Sequence, residues 1–212
     1  MNWIKELKEK LYHHTLPGQE SQSELAAFKG LFGKPPQTVR QAGVLALFHP
    51  TSEGWHICFI QRPKRNPNDP HAGQISFPGG KREESDKDLW HTAIRETEEE
   101  IGIPAEEISM IGSLTQLYIP VSNFVVFPKV GFIEQQPQFI LQEEEVADII
   151  TPPVKHFLHA EAIQKANMTV RNNVKLQQVP HFKFNQHIIW GATAMMFNEL
   201  RSIMQSLEAD ID

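Results

Sequence analysis

The hydrophobic positions of this chain change period several times, and each change marks an element. Trp3, Ile4, Leu7 and Leu11 recur every three to four residues in a charged segment, which predicts an amphipathic helix. Pro17-Gly18 opens a loop over 17–21, a second short helix is expected over 24–32, and Gly33-Lys34-Pro35-Pro36 breaks the pattern. From Arg40 the texture becomes strand-like. The apolar run 42–48 suits a buried strand, 49–54 a turn, and 55–60 the second arm of a hairpin. A polar loop with Pro63, Pro67 and Pro70 leads to Gly73-Gln74-Ile75-Ser76-Phe77-Pro78-Gly79-Gly80. The clearest helical period runs from 86 to 101, with Leu89, Trp90, Ala93, Ile94, Thr97 and Ile101 in one stripe. Ser85 or Asp86 can cap its start, and Gly102 with Pro104 stops it. Strands are expected over 109–118 and 124–132, a helix over 154–165, and a hairpin from 168–179 and 181–184. A last helix is expected over 188–207. Strands before and after an inserted helix, with no internal repeat, imply an α/β class with a mixed sheet between helices. The expected organisation is a helical N-terminal extension over 1–36 and one domain over 37–212.

Composition narrows the partners. The 212 residues include 20 basic and 26 acidic side chains, a formal net charge of -6. A surface of that sign does not displace counterions from polymeric nucleic acid. It leaves room for a small phosphorylated ligand, which needs only a local basic pocket or a metal. Cys58 is the single cysteine, so neither an intrachain disulfide nor a cysteine-rich zinc site is available. The longest apolar stretch, near 188–197, falls far short of the ~20 residues that span a bilayer. The first residues lack the apolar core of a signal peptide. A cytoplasmic protein with no membrane partner is expected.

The candidate chemistry lies on the helix over 86–101. Glu96, Glu99 and Glu100 stand at i, i+3 and i+4, on one flank beside the apolar stripe. Arg95 reaches its neighbours but does not neutralise the group. Hard divalent cations such as Mg²⁺ and Mn²⁺ favour such oxygens and share them with substrate phosphates. A solvated acidic helix face is the alternative on the residues alone.

The stretch from Gly80 to Ile103 resembles the Nudix box: Gly, five residues, Glu, seven residues, then Arg-Glu-apolar-any-Glu-Glu-any-Gly-apolar. Arg95, Glu96, Glu99, Glu100, Gly102 and Ile103 match the second half, with Thr97 in the apolar slot. The first half departs: Asp86 stands where the box has Glu, and eight residues separate it from Arg95. With Phe59-Ile60-Gln61-Arg62 upstream and the Gly73 to Gly80 lead-in, the chain is similar to the coenzyme A pyrophosphatase branch of that family. Trp190-Gly191-Ala192-Thr193 extends the resemblance toward the end of the chain. Asp69 occupies a position where the branch carries a second Arg.

The resemblance implies a Nudix α/β/α sandwich and a pyrophosphohydrolase dependent on Mg²⁺ or Mn²⁺. It places the metal on Glu96, Glu99, Glu100 and the Gly80 carbonyl. Glu96 or the loop residue Glu145 would serve as base, and Arg95 would orient a glutamate. Asp86 would support the loop and the helix start, or simply cap it. Arg62, Arg65 and Phe77 would meet the substrate. Coenzyme A or its thioesters are the implied substrates, cleaved to 4′-phosphopantetheine and adenosine 3′,5′-bisphosphate. ADP-ribose, a dinucleotide or a nucleotide is the alternative, as is a Nudix-fold module that binds without hydrolysis. The N-terminal helices would pack on the domain or join a homodimer contact.

Overall fold

Strand β1 (Arg40–Thr51) and strand β2 (Gly54–Gln61) pair antiparallel and are apolar on both faces. Alternation sends Ala46, Phe48, Ile57 and Phe59 into one core cluster and Leu45, Leu47, Cys58 and Ile60 into another. A sheet with two buried faces needs a helical layer on each side. The computed structural model, which describes residues 2–27, 33–65, 69–170 and 173–207, has that architecture.

β1 also pairs in parallel with β7 (Phe124–Phe132), from Arg40 beside Phe124 to Phe48 beside Phe132. β7 carries β5 (Ser109–Ser113) and β6 (Leu117–Ile119). β2 carries β3 (Ile75–Ser76) and β8 (Asp148–Ile150), and β4 (Gly79–Lys81) pairs with β1. The sheet is mixed, as expected. One face is covered by helix α3 (Leu89–Ile101), through Ala93, Ile101, Trp90 and Ile94. The other is covered by α1 (Asn2–His13) and α4 (Gly191–Gln205).

The predicted first helix therefore supplies part of a core layer. Trp3, Ile4, Leu7 and Leu11 are all buried, and Trp3 meets Phe48 edge-on at 5.2 Å. Burying a large apolar side chain contributes about 1.5–3 kcal/mol, so four of them fix this helix firmly to the sheet. The short helix α2 (Gly18–Glu24) is held by polar groups instead. The buried Glu199 carboxylate on α4 accepts from Gly18 N, Gln22 Nε2 and Thr115 N and Oγ1.

Several expected boundaries move. The second helix lies over Gly18–Glu24 and has ended by 25–27, because the Glu199 network selects the earlier residues; the rest of the expected span, 28–32, lies outside the described residues. The helix expected over 154–165 is two short 3-10 turns, Val154–Phe157 and Ala160–Ala162, followed by strand β9 (Ile163–Val170). There the pairing of Ile163 with Phe182 and Gln164 with His181 overrides the local helical period. The break expected near Pro180 is absent. β10 (Val174–Phe184) runs through it, with a bulge between Leu176 and Val179 where Gln178 takes φ 51°. β11 (His187–Trp190) claims the residues expected to open the last helix, and Gly191 at φ 63° turns the chain into α4. β9, β10 and β11 form a separate three-stranded antiparallel sheet. Among the described residues, no helix is long and apolar enough to cross a membrane.

Candidate active site

The site forms where β4 crosses β1 under α3. Gly79, at φ 142°, takes a conformation that other residues rarely adopt, and a Cβ there would collide with the Gly43 carbonyl. A Cβ on Gly80 would collide with the Glu96 carboxylate. The two glycines thus let backbone lie against the acidic flank of α3. The Gly79 N–H donates to Glu100 Oε2 at 2.8 Å.

Asp86 and Arg95 hold α3 in register with that turn. The expected cap role of Asp86 belongs to Asp88, whose carboxylate accepts from His91 N at 2.8 Å. Asp86 is buried and accepts from Glu83 N, Thr92 Oγ1, His91 Nδ1 and both Arg95 Nε and Nη2, at 2.9–3.1 Å. The Arg95 guanidinium beside it holds its carboxyl well below the usual range. Arg95 then reaches the functional flank, donating to Glu96 Oε1 at 2.9 Å and Glu99 Oε2 at 3.0 Å.

Carboxylate oxygens of Glu96, Glu100 and Glu145 lie within 4.8 Å of one another. Glu145 arrives from the loop before β8, seated by the buried Val146 and by the Ala147 N–H on Gln61 O. Burial, with the neighbouring carboxylates adding to it, pushes the Glu96 carboxyl up from its ordinary value and that of Glu100 up to about 8. Oxygen donors crowded so closely fit a hard divalent cation, which would favour their ionised forms. Glu99, expected with the metal ligands, lies outside this trio: 55% of its side chain is exposed and it is ion-paired to Arg95.

The raised Glu100 value has a measurable consequence for the metal-free protein. Its folded pKa exceeds the unfolded one, so its contribution to stability is full below about pH 4.5 and is lost as pH rises through 8. Between pH 6 and 8 in EDTA, wild type should lose on the order of 5 °C in Tm relative to Glu100→Gln. Parallel melting curves of the two proteins check this.

The trio opens onto a cavity of about 830 Å³ that is also lined by Arg40, Arg62, Asp69, Gly80 and Lys81. Arg62 is not available alone. Its Nη2 donates to Asp69 Oδ2 at 2.9 Å, and Asp69 is fixed by the His71 N–H. Those two donors lower the Asp69 pKa although burial acts to raise it. Arg65 is exposed and is not among the described residues lining this cavity. The Phe77 ring, expected to meet substrate, is 1% exposed and stacked on Phe59 at 5.0 Å. It stands at the wall of this cavity and supports the turn from within the core.

Two cationic residues escaped the sequence reading. Arg40 starts β1 and lies 4.1 Å over the Phe124 ring, its Nη2 donating to Ser122 O. Only the parallel β1–β7 pairing brings these together. Lys81 directly follows Gly80 and was legible by adjacency.

The NUDIX domain family matches residues 38–174. A Nudix hydrolase named NudL from Pectobacterium atrosepticum is 32% identical over 170 residues, 79% of this chain and 84% of that protein. The human mitochondrial coenzyme A diphosphatase NUDT8 is 35% identical over 127 residues, 59% of this chain and 53% of that protein. A MutT/nudix family protein from Enterococcus faecalis, at 15% identity, aligns over 95% of this chain and 78% of its own with a TM-score of 0.49.

Proposed function

The chain belongs to the Nudix family, and on that premise we propose that this hydrolase cleaves the diphosphate of coenzyme A or its thioesters, giving 4′-phosphopantetheine and adenosine 3′,5′-bisphosphate. The observation that carries the reading is the convergence of Glu96, Glu100 and Glu145 in a cavity that also presents Arg40, Arg62 and Lys81. The substrate choice is supported by the Gly73 to Gly80 lead-in and by the similarity to a relative named for coenzyme A diphosphatase activity.

Glu96 and Glu100 would hold Mg²⁺ or Mn²⁺, with Glu145 within reach and Gly80 at the cavity wall beside them. A bound cation of this kind neutralises phosphate charge and eases deprotonation of water. The protein does the rest. Arg40, Arg62 and Lys81 take phosphate oxygens by charge-assisted hydrogen bonds. Arg95 keeps the Glu96 carboxylate aimed into the cavity. Glu145, exposed on its loop, accepts the proton of the attacking water as that water's oxygen bonds to phosphorus and the bridging P–O bond breaks.

The Arg62–Asp69 pair favours a second reading, another nucleoside-diphosphate substrate, because the carboxylate competes with phosphate for the guanidinium. Asp69→Asn should lower KM for a diphosphate substrate about 3- to 10-fold with kcat unchanged. A raised KM would show that Asp69 serves to position Arg62.

A panel of coenzyme A, ADP-ribose and a dinucleotide, each with Mn²⁺ and with EDTA, tests the proposal. Release of both named products from coenzyme A, only with metal, supports it. Brisk cleavage of another member with coenzyme A untouched transfers the function to the second reading.

A further inference from the structure

Beside the carboxylate cavity lies another of about 920 Å³. The two adjoin, sharing Asp69, His71, Gln74, Ile119 and Val121 along their common wall. Their chemistry differs. Strands β9 and β10 of the three-stranded sheet wall the second cavity with apolar cross-strand pairs: Met168 stands opposite Leu176, and Val170 opposite Val174. Residues two apart on a strand share a face, so β9 and β10 turn one apolar surface to this space. Leu117 and Met195 line it as well. Val121, Val174 and Ile188, exposed by 70%, 48% and 38%, also stand at this cavity. A cluster of large apolar side chains left in water, beside a site for a charged group, marks a place for a ligand that has both characters. Lys64 and Asp69 bring charge among the described lining residues, and both come from the loop after β2.

We propose that this cavity holds an aliphatic tail carried by the diphosphate substrate, so that the enzyme favours acyl thioesters of coenzyme A over the free thiol. The inference rests on the coenzyme A reading above. A nucleobase asks for stacked aromatic faces and hydrogen-bond partners; Tyr118 and Trp190 stand in this lining, but aliphatic side chains such as Leu117, Met168, Val170, Leu176 and Met195 outnumber them. An aliphatic tail asks only for apolar area to leave water. The tail lies away from the reacting phosphorus and is bound equally in ground and transition states. It therefore lowers KM and leaves kcat unchanged.

The test compares kcat and KM for free coenzyme A and its acetyl, hexanoyl and decanoyl thioesters. Wild type should show KM falling about threefold for each added methylene until the chain fills the cavity, at steady kcat. Val174→Glu and Ile188→Glu put charge at two partly exposed positions, and melting curves confirm that each variant folds. In both, the decanoyl-to-free ratio of kcat/KM should collapse toward one. A flat series in wild type that still cleaves coenzyme A overturns the tail site and leaves the coenzyme A reading standing. Chain-length dependence preserved in both variants also overturns the assignment to this cavity. Failure to cleave any coenzyme A species overturns both readings.

Discussion

Replacing Glu100 by Gln should reduce hydrolysis of a diphosphate substrate about 10³-fold while leaving the metal-free fold at pH 8 at least as stable as wild type. The two halves of this expectation share one cause. Glu100 is buried against the Gly79 turn, and burial raises its carboxyl to about 8 in the absence of a cation. Gln keeps the oxygen that accepts the Gly79 N–H and reproduces the neutral state that burial prefers, so the fold keeps its contact. It withdraws the charge that would meet a divalent cation, so chemistry fails. Steady-state rates with Mn²⁺ and melting curves in EDTA separate the effects. A fold that collapses in Glu100→Gln would mean that the carboxylate has a structural partner besides Gly79.

The second large effect belongs to the ion pair behind the site. Asp86→Ala removes two of the hydrogen bonds that hold the Arg95 guanidinium and leaves Glu83 N, Thr92 Oγ1 and His91 Nδ1 without their acceptor, in a place where the Asp86 side chain is fully buried. Removing one partner of a buried pair costs about 3–5 kcal/mol, which for a chain of this size lowers Tm by roughly 10 °C. Arg95→Ala should cost a similar amount, and the double variant less than the sum, because the two residues share one interaction. In Arg95→Ala the fraction that folds should lose about 10- to 100-fold in kcat, since Glu96 then lacks the Nη2 donor that orients it. Because Asp86 is held below its ordinary pKa, its contribution is present above about pH 4 and is lost in more acidic solution. Acid melts of wild type and Asp86→Ala should therefore converge below pH 4.

What was legible in the sequence follows the range of the forces involved. The α3 stripe and the β1–β2 hairpin could be read because each is fixed by local periodicity and a turn. The Gly79-Gly80 lead-in could be read because close backbone approach requires glycine. Asp88 was missed as the cap for a chemical reason: Asp86 is an equally good capping residue by type, and only the arrival of Arg95 from later in the helix withdraws it. Residues 163–165 of β9 and 188–190 of β11 were taken for helix, as continuations of the segments expected over 154–165 and 188–207. The pairing with β10 that decides the matter involves residues distant along the chain. Arg40 was invisible for the same reason, since a parallel partner leaves no mark nearby. Glu145 was reached only through the family resemblance, because three consecutive glutamates in a loop do not reveal which one turns inward.

Calorimetric titration of Mn²⁺ into the metal-free protein at pH 7, in two buffers of different ionisation enthalpy, tests the carboxylate trio most directly. Wild type should bind with release of close to one proton, drawn from the raised Glu100 carboxyl. Glu100→Gln should bind at least tenfold more weakly, with that proton release gone, and Glu96→Gln should show a similar loss of affinity. Mn²⁺ binding of equal affinity in wild type and both variants would contradict a metal site on these carboxylates.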